Sequence, residues 1–274
     1  MTGRTDWNIR LRWALRCPGY FALRLFVRPN SGIEIRYHAR RRAPSIAEAT
    51  GLPPASIAAF LTEVDKSEAI GELFSRLSSL LKMDSRKLPV QERLRVAPFL
   101  GSFRAGPELY ALIRALRPRT VVETGVGSGY SSTFILEALR RNDEGRLVSI
   151  DLPNCEAGWS LTEDEKPGFL VPDVLRSRWD LRLGRTVDLL PDVLTRLGHI
   201  DLFFHDSEHT YDVMSFEYSA AYEHLTPSGV IISDDSMWNT AMIDFAKTVG
   251  QRIHFVYHAG GSAPITFIRK PAFS

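Results

Sequence analysis

An α/β fold, a doubly wound and mainly parallel seven-stranded sheet behind a helical N-terminal extension, is predicted by three features of the sequence. From about residue 105 onward, short apolar runs rich in Val, Ile, Leu and Phe alternate with segments of helical period. Parallel strands need connections of that length, and within one sheet such crossovers are right-handed. The last two runs, Ile253–Tyr257 and Ile265–Ile268, have no helix between them and read as a closing antiparallel pair.

The elements follow in order. Residues 1–44 show no clear period and read as a basic, irregular arm. Ser45, with Glu48 three residues on, has the pattern of a capping box and opens a first helix. After Gly51-Leu52-Pro53-Pro54 a second helix runs from Ser56 to Val64. A third covers Ser67–Leu81, with Ile70, Leu73, Phe74 and Leu77 at helical spacing. A helix from Pro107 to Leu116 stops at Pro118, and the strand Thr120–Val122 follows. Beyond a Gly-rich loop come a helix Ser131–Arg141, the strands Arg146–Asp151 and Trp179–Leu183, and a helix Val187–Leu197. The strand Ile200–Asp206 leads to a helix Tyr211–His224, and Pro227-Ser228-Gly229 turns the chain into the strand Val230–Asp235. Residues 1–95 are thus expected to form the extension and 96–274 the α/β domain. The stretch Asn154–Asp173 is long and weakly patterned, as expected of a mobile lid.

Composition narrows the class. Of 274 residues, 44% are apolar and 24% charged, as in soluble globular proteins, and no apolar run is long enough to span a membrane. Cys17 and Cys155 show no metal-ligand spacing; two isolated cysteines suit a reducing, cytoplasmic setting. The net charge of +2 hides an asymmetry, because ten arginines face only Asp6 and Glu34 up to Pro44. That segment is +8, leaving −6 for the rest. Such an arm suits nucleic acid, an anionic membrane surface or an acidic substrate; equally, it suits solvent or a homo-oligomer contact. The acidic remainder argues against nucleic acid, and a homo-oligomer is the expectation. Arginines interrupt each apolar stretch of the arm, which makes it a poor secretory signal but leaves an Arg-rich transit peptide open.

The chemistry gathers at strand ends. The first strand closes on Glu123 and hands over to Gly125, Gly127 and Gly129, whose backbone can approach a ligand closely. The amides of such a loop, with the helix start at Ser131, suit a polar or anionic group. The second strand ends in Asp151, 22 residues after Gly129, where a carboxylate can accept both hydroxyls of a ribose. Loop and acid together describe a Rossmann-like site for an adenosine-type nucleotide. The dinucleotide spacing G-x-G-x-x-G does not fit, since its third glycine would fall on Tyr130 or Ser132.

Two further strand ends carry Asp206 and the pair Asp234-Asp235. Adjacent parallel strands end on one rim, so three carboxylates converge there, and burying them unpaired is costly. A hard divalent cation such as Mg2+ resolves the crowding; the alternative is that Asp234 caps the next helix and Asp206 binds loop amides. Glu208 and His209, directly after Asp206, are the candidates for a general base. Histidine has the better ordinary pKa for that role. Trp238 follows the acid pair by three residues and either walls the cleft or packs beside it.

The E-x-G-x-G-x-G loop resembles the first motif of class I methyltransferases. There the opening acid lies near the methionine moiety of S-adenosyl-L-methionine and the acid ending the second strand holds the ribose. Glu123 and Asp151 match those positions. The run D-x-x-H-x-Y from Asp206 to Tyr211, then a helix, a Pro-containing turn and a strand ending Asp-Asp, resembles metal-dependent sugar O-methyltransferases of macrolide and aminocoumarin biosynthesis. The resemblance covers residues 98–270. It implies Asp206, Asp234 and Asp235 as metal ligands and a small-molecule hydroxyl as methyl acceptor, without choosing between His209 and Glu208. Departures from the pattern are Ser228-Gly229 for Gly-Gly, Ser207 for Gly, and His205 where an apolar residue is usual.

Overall fold

β1 (Thr120–Thr124), a β-branched run buried on both faces, lies inside the sheet between two parallel neighbours. In the computed structural model, which describes residues 7–26, 32–82, 105–153, 166–258 and 263–272, six further strands surround it. They are β2 (Arg146–Asp151), β3 (Trp179–Leu183), β4 (Ile200–His205), β5 (Leu225–Ser233), β6 (His254–Val256) and β7 (Ile265–Arg269). The spatial order is β3-β2-β1-β4-β5-β7-β6. The first five run parallel, and β7 is antiparallel to both β5 and β6. Strand order reverses between β1 and β4, the place where such sheets open a crevice beyond their carboxyl ends. The register levels those ends: Thr124 pairs with Ile150 and His205, and His205 with Ser233. Gly125, Asp151, Asp206 and Asp234 therefore leave the sheet on one rim.

Alternation along the strands builds two cores. On one face Val121, Leu147, Leu202 and Phe204 pack under α3 (Gly32–Thr50), α4 (Pro54–Val64), α5 (Glu68–Lys82), α6 (Gly106–Leu116) and α7 (Tyr130–Asn142). On the other, Val122, Val148, Phe203 and Ile231 pack under α8 (Thr186–Leu197), α9 (Tyr211–His224) and α10 (Ala241–Thr248), joined by Trp13 of α1 (Trp7–Arg16). α2 (Pro18–Phe26) connects α1 to the region before α3. The extension is thus part of both cores rather than an appendage.

Four expectations are corrected. The arm is helical rather than irregular: Trp13 on α1, Cys17 at the joint and Tyr20 on α2 are buried, among the exposed Arg10, Arg12 and Arg16. Ser45 does not open a helix but lies inside α3, one residue after Pro44; its hydroxyl donates to the Arg42 carbonyl (2.9 Å) and accepts from the Tyr257 amide (3.1 Å). Pro227-Ser228-Gly229 falls within β5, where Ser228 has φ 66° and the pairing with β4 shifts register between Ile200 and Leu202. α10 was not foreseen, since its buried Met242, Phe245 and Ala246 make only two turns.

The expected lid divides. Residues 154–165, with Trp159, lie outside the described residues. Gly168 and Leu170 instead pin the following turn to the glycine loop, donating to the Gly127 and Ser128 carbonyls (both 2.9 Å), while Val171 is fully buried. That part is a wall, held by the same backbone it covers.

Candidate active site

Gly125 shows why the loop needs glycine. Its φ is 83°, and a β-carbon there would stand 2.0 Å from the Asp206 carbonyl oxygen, so the loop after β1 lies directly on the segment after β4. Gly129, at φ 91°, precedes α7 and packs against Val171 and Gly168.

Asp151 reaches back under this loop. Its Oδ2 accepts from the amides of Val126 (3.0 Å) and Gly127 (2.7 Å), and its Oδ1 from Leu152 (2.8 Å). Two amides that the sequence assigned to a ligand are therefore held by the second strand's own acid. Each carboxylate oxygen keeps acceptor capacity for further hydroxyls. Burial pushes the Asp151 pKa up, and the three amides pull it back.

Glu123 is fully buried at the end of β1 and accepts from the hydroxyls of Ser131, Ser132 and Ser149, each at 2.7 Å. Ser131, at the start of α7, is one of these donors. Burial, opposed by these three bonds and aided by the Asp151 charge, pushes the Glu123 pKa from 4.5 up to about 7. A carboxyl whose folded pKa is raised contributes stability below its unfolded value, and that contribution is lost as pH rises from 4.5 towards 7. Glu123→Gln, which cannot ionise, should therefore melt above wild type at pH 8 by about 1–2 kcal/mol, roughly 3–6 °C. Thermal melts of both proteins at pH 5 and pH 8 check this; a gap of equal size at both would contradict the buried ionisation.

On the neighbouring strand ends the acids do converge. Asp206 is pushed well above the ordinary carboxylate range by burial first, then by Asp234 and Asp235. Asp234 rises for the same reasons, and Asp235 is pushed up to about 6 by burial against a hydrogen bond from Trp238. Asp235 holds a left-handed backbone (φ 45°), a cost kept at the rim where the acids meet. His209 Nε2 lies 3.8 Å from Asp206 and 3.6 Å from Asp235, and the Trp238 ring stands 5.3 Å from the imidazole, centroid to centroid. Burial, then the neighbouring His205, lowers the His209 pKa to about 4, so its ring is uncharged at neutral pH and less basic than an ordinary imidazole. Glu208 is exposed.

The donor set suits a hard cation, being all carboxylate oxygen with no lysine or arginine pairing among the described residues. As the side chains stand, no group of three or more among the described residues is drawn into a metal-holding arrangement.

Beneath the cluster lies a hub with no sequence signal of its own. Glu217 of α9, fully buried, meets His205 Nδ1 (2.7 Å) and accepts from Thr124 Oγ1 (2.6 Å) and Ser207 Oγ (2.8 Å). Burial raises its pKa, but His205 and the bonds from His205, Thr124 and Thr186 outweigh this and hold it below the ordinary value. One carboxylate thereby fixes the ends of β1 and β4 together and accounts for the unusual His205. A second bridge comes from the arm. Trp13 Nε1 donates to the Asn239 carbonyl (2.8 Å), and Asn239 Nδ2 donates to the His209 carbonyl (3.1 Å). α1 thus braces both the His209 loop and the short turn Ser236–Trp238.

Comparison with known proteins agrees with this geometry. Residues 122–236 match the methyltransferase-domain family. No curated protein matches the chain. Among solved structures, the O-methyltransferase TomG from Streptomyces achromogenes, involved in tomaymycin synthesis and solved with S-adenosylmethionine, is 18% identical, covers 72% of this chain and 96% of its own, and superposes with a TM-score of 0.50. The O-methyltransferase from Bacillus cereus, solved with S-adenosylhomocysteine, is 18% identical over 72% of this chain and 91% of its own, with a TM-score of 0.47. Methyltransferase PaMTH1 from Podospora anserina, also with S-adenosylhomocysteine, is 17% identical over 72% and 94%, with a TM-score of 0.46. The chain therefore carries a methyltransferase domain on a Rossmann-like sheet.

Proposed function

We propose that the chain is an O-methyltransferase that moves the methyl group of S-adenosyl-L-methionine to a hydroxyl of a small molecule, a sugar hydroxyl of a glycosylated natural product being the leading class. The observation that carries this reading is the convergence of Asp206, Asp234, Asp235 and the uncharged His209 beside the glycine loop. Gly125, Gly127, Gly129 and Asp151 would hold the cofactor, with Glu123 bracing the loop from below. The sulfonium supplies an electrophilic methyl carbon.

A hydroxyl is a very weak acid, so transfer needs in-line positioning and a place for one proton. His209 Nε2, the nitrogen facing the carboxylates, takes that proton as the oxygen is alkylated. Asp206, Asp234 and Asp235 would hold Mg2+, whose Lewis acidity lowers the pKa of a hydroxyl beside it. Trp238 forms part of the acceptor wall. Assembly as a homo-oligomer and a cytoplasmic setting belong to the same proposal.

The test is a panel of hydroxylated small molecules, amines and carbon acids, incubated with S-methyl-labelled cofactor. Label found on oxygen, in step with formation of S-adenosylhomocysteine, is the expected result. Label on nitrogen or carbon would instead favour a metal-independent N- or C-methyltransferase.

A further inference from the structure

We propose that the outward face of α1 is a docking surface for an anionic lipid–water interface. Leu11 and Leu15 are 60% and 75% exposed, and a spacing of four residues puts them on one side of the helix. Trp13, two positions from each, points the opposite way and is fully buried. Arg12 is tied down as well, bonded to Asp244 at 2.6 Å. The helix is therefore fixed through its inner face while its leucine pair stays in water, flanked by the exposed Arg10 and Arg16.

This exposure is local. Of the eight large apolar side chains exposed among the described residues, four belong to α1 or to what it docks on. They are Leu11, Leu15, Trp238 on the turn against α1, and Tyr211, which bonds to the same Asp244 that holds Arg12. Apolar side chains beside arginines, with an indole at the edge, are the composition of an interfacial helix. The arginines alone would fit any polyanion. The leucines between them need an apolar layer beneath the charge, which an anionic bilayer supplies and a nucleic acid does not. A second copy fits poorly, because a patch meeting itself would set the +8 segment against its twin. Any homo-oligomer would then use another face.

Trp238 is also the ring beside His209, so docking would turn the cleft mouth towards the lipid. On the methyltransferase reading, the acceptor hydroxyl then belongs to an amphipathic molecule presented at that surface.

Sedimentation of the full-length protein with vesicles tests the surface. Vesicles of phosphatidylcholine are compared with vesicles containing phosphatidylglycerol, for wild type and the variants L11S/L15S and R10Q/R16Q. The expected result is at least about tenfold stronger binding to the anionic vesicles, lost about tenfold in either variant. Equal binding to both vesicle types would overturn the proposal. So would full binding by L11S/L15S, which would mark charge alone and point to a soluble acidic partner. S-adenosylhomocysteine affinity, measured on the same preparations, reports separately on the cofactor reading; its absence alongside intact vesicle binding would refute that reading and support the surface.

Discussion

Replacing Asp151 with alanine is expected to weaken S-adenosylhomocysteine binding by about 100-fold, the loss of two charge-assisted hydrogen bonds at about 1.5 kcal/mol each. The effect is large because Asp151 serves two purposes. It is the acceptor that ends β2 on the ligand rim, and it already holds the Val126 and Gly127 amides of the glycine loop. Removing it frees those amides as well as the ribose site. Asp151→Asn separates the two contributions, since an amide oxygen can still accept from the loop while the charge is gone. Its affinity should fall between wild type and alanine, with a melting temperature close to wild type. Isothermal calorimetry on the three proteins checks this. Unchanged affinity in Asp151→Ala would remove the ribose assignment.

What the sequence made legible is what a parallel sheet fixes locally. Each strand is a short apolar run, and each carboxyl end is marked by the residue that follows, so Glu123, Asp151, Asp206 and Asp234 could be placed on one rim before any coordinates. The helices over residues 56–81 were equally plain, since their apolar period is uninterrupted. The arm shows no period in sequence because its few buried residues, Trp13, Cys17 and Tyr20, are spread over two short helices among exposed arginines. The site's supporting partners were hidden for a different reason. Glu217 bonds to Thr124, 93 residues away, and Trp13 to Asn239, 226 residues away, and no local pattern records such pairs. The bond from Ser131 to Glu123 has no local signal either, since it joins a helix start to the strand before the loop. Of the two candidate bases, His209 lies near Asp206 and Asp235 and Glu208 is exposed.

The carboxylate cluster carries the second large effect. Asp206→Asn should lower turnover by about 100-fold or more while S-adenosylhomocysteine still binds, because the acid acts on the acceptor side of the cleft. His209→Asn should lose a comparable factor, about 10²–10⁴, through the missing proton acceptor. Glu208→Gln should stay near wild type. These variants share one reference, the wild-type enzyme stripped of divalent cations. The most direct measurement is therefore wild-type turnover, on an acceptor found with the labelled cofactor, in excess EDTA and after Mg2+ is restored. The expected result is loss of methyl transfer in EDTA with cofactor affinity intact, full recovery with Mg2+, and no recovery for Asp206→Asn. Undiminished turnover in EDTA would contradict the metal-assisted reading of Asp206, Asp234 and Asp235.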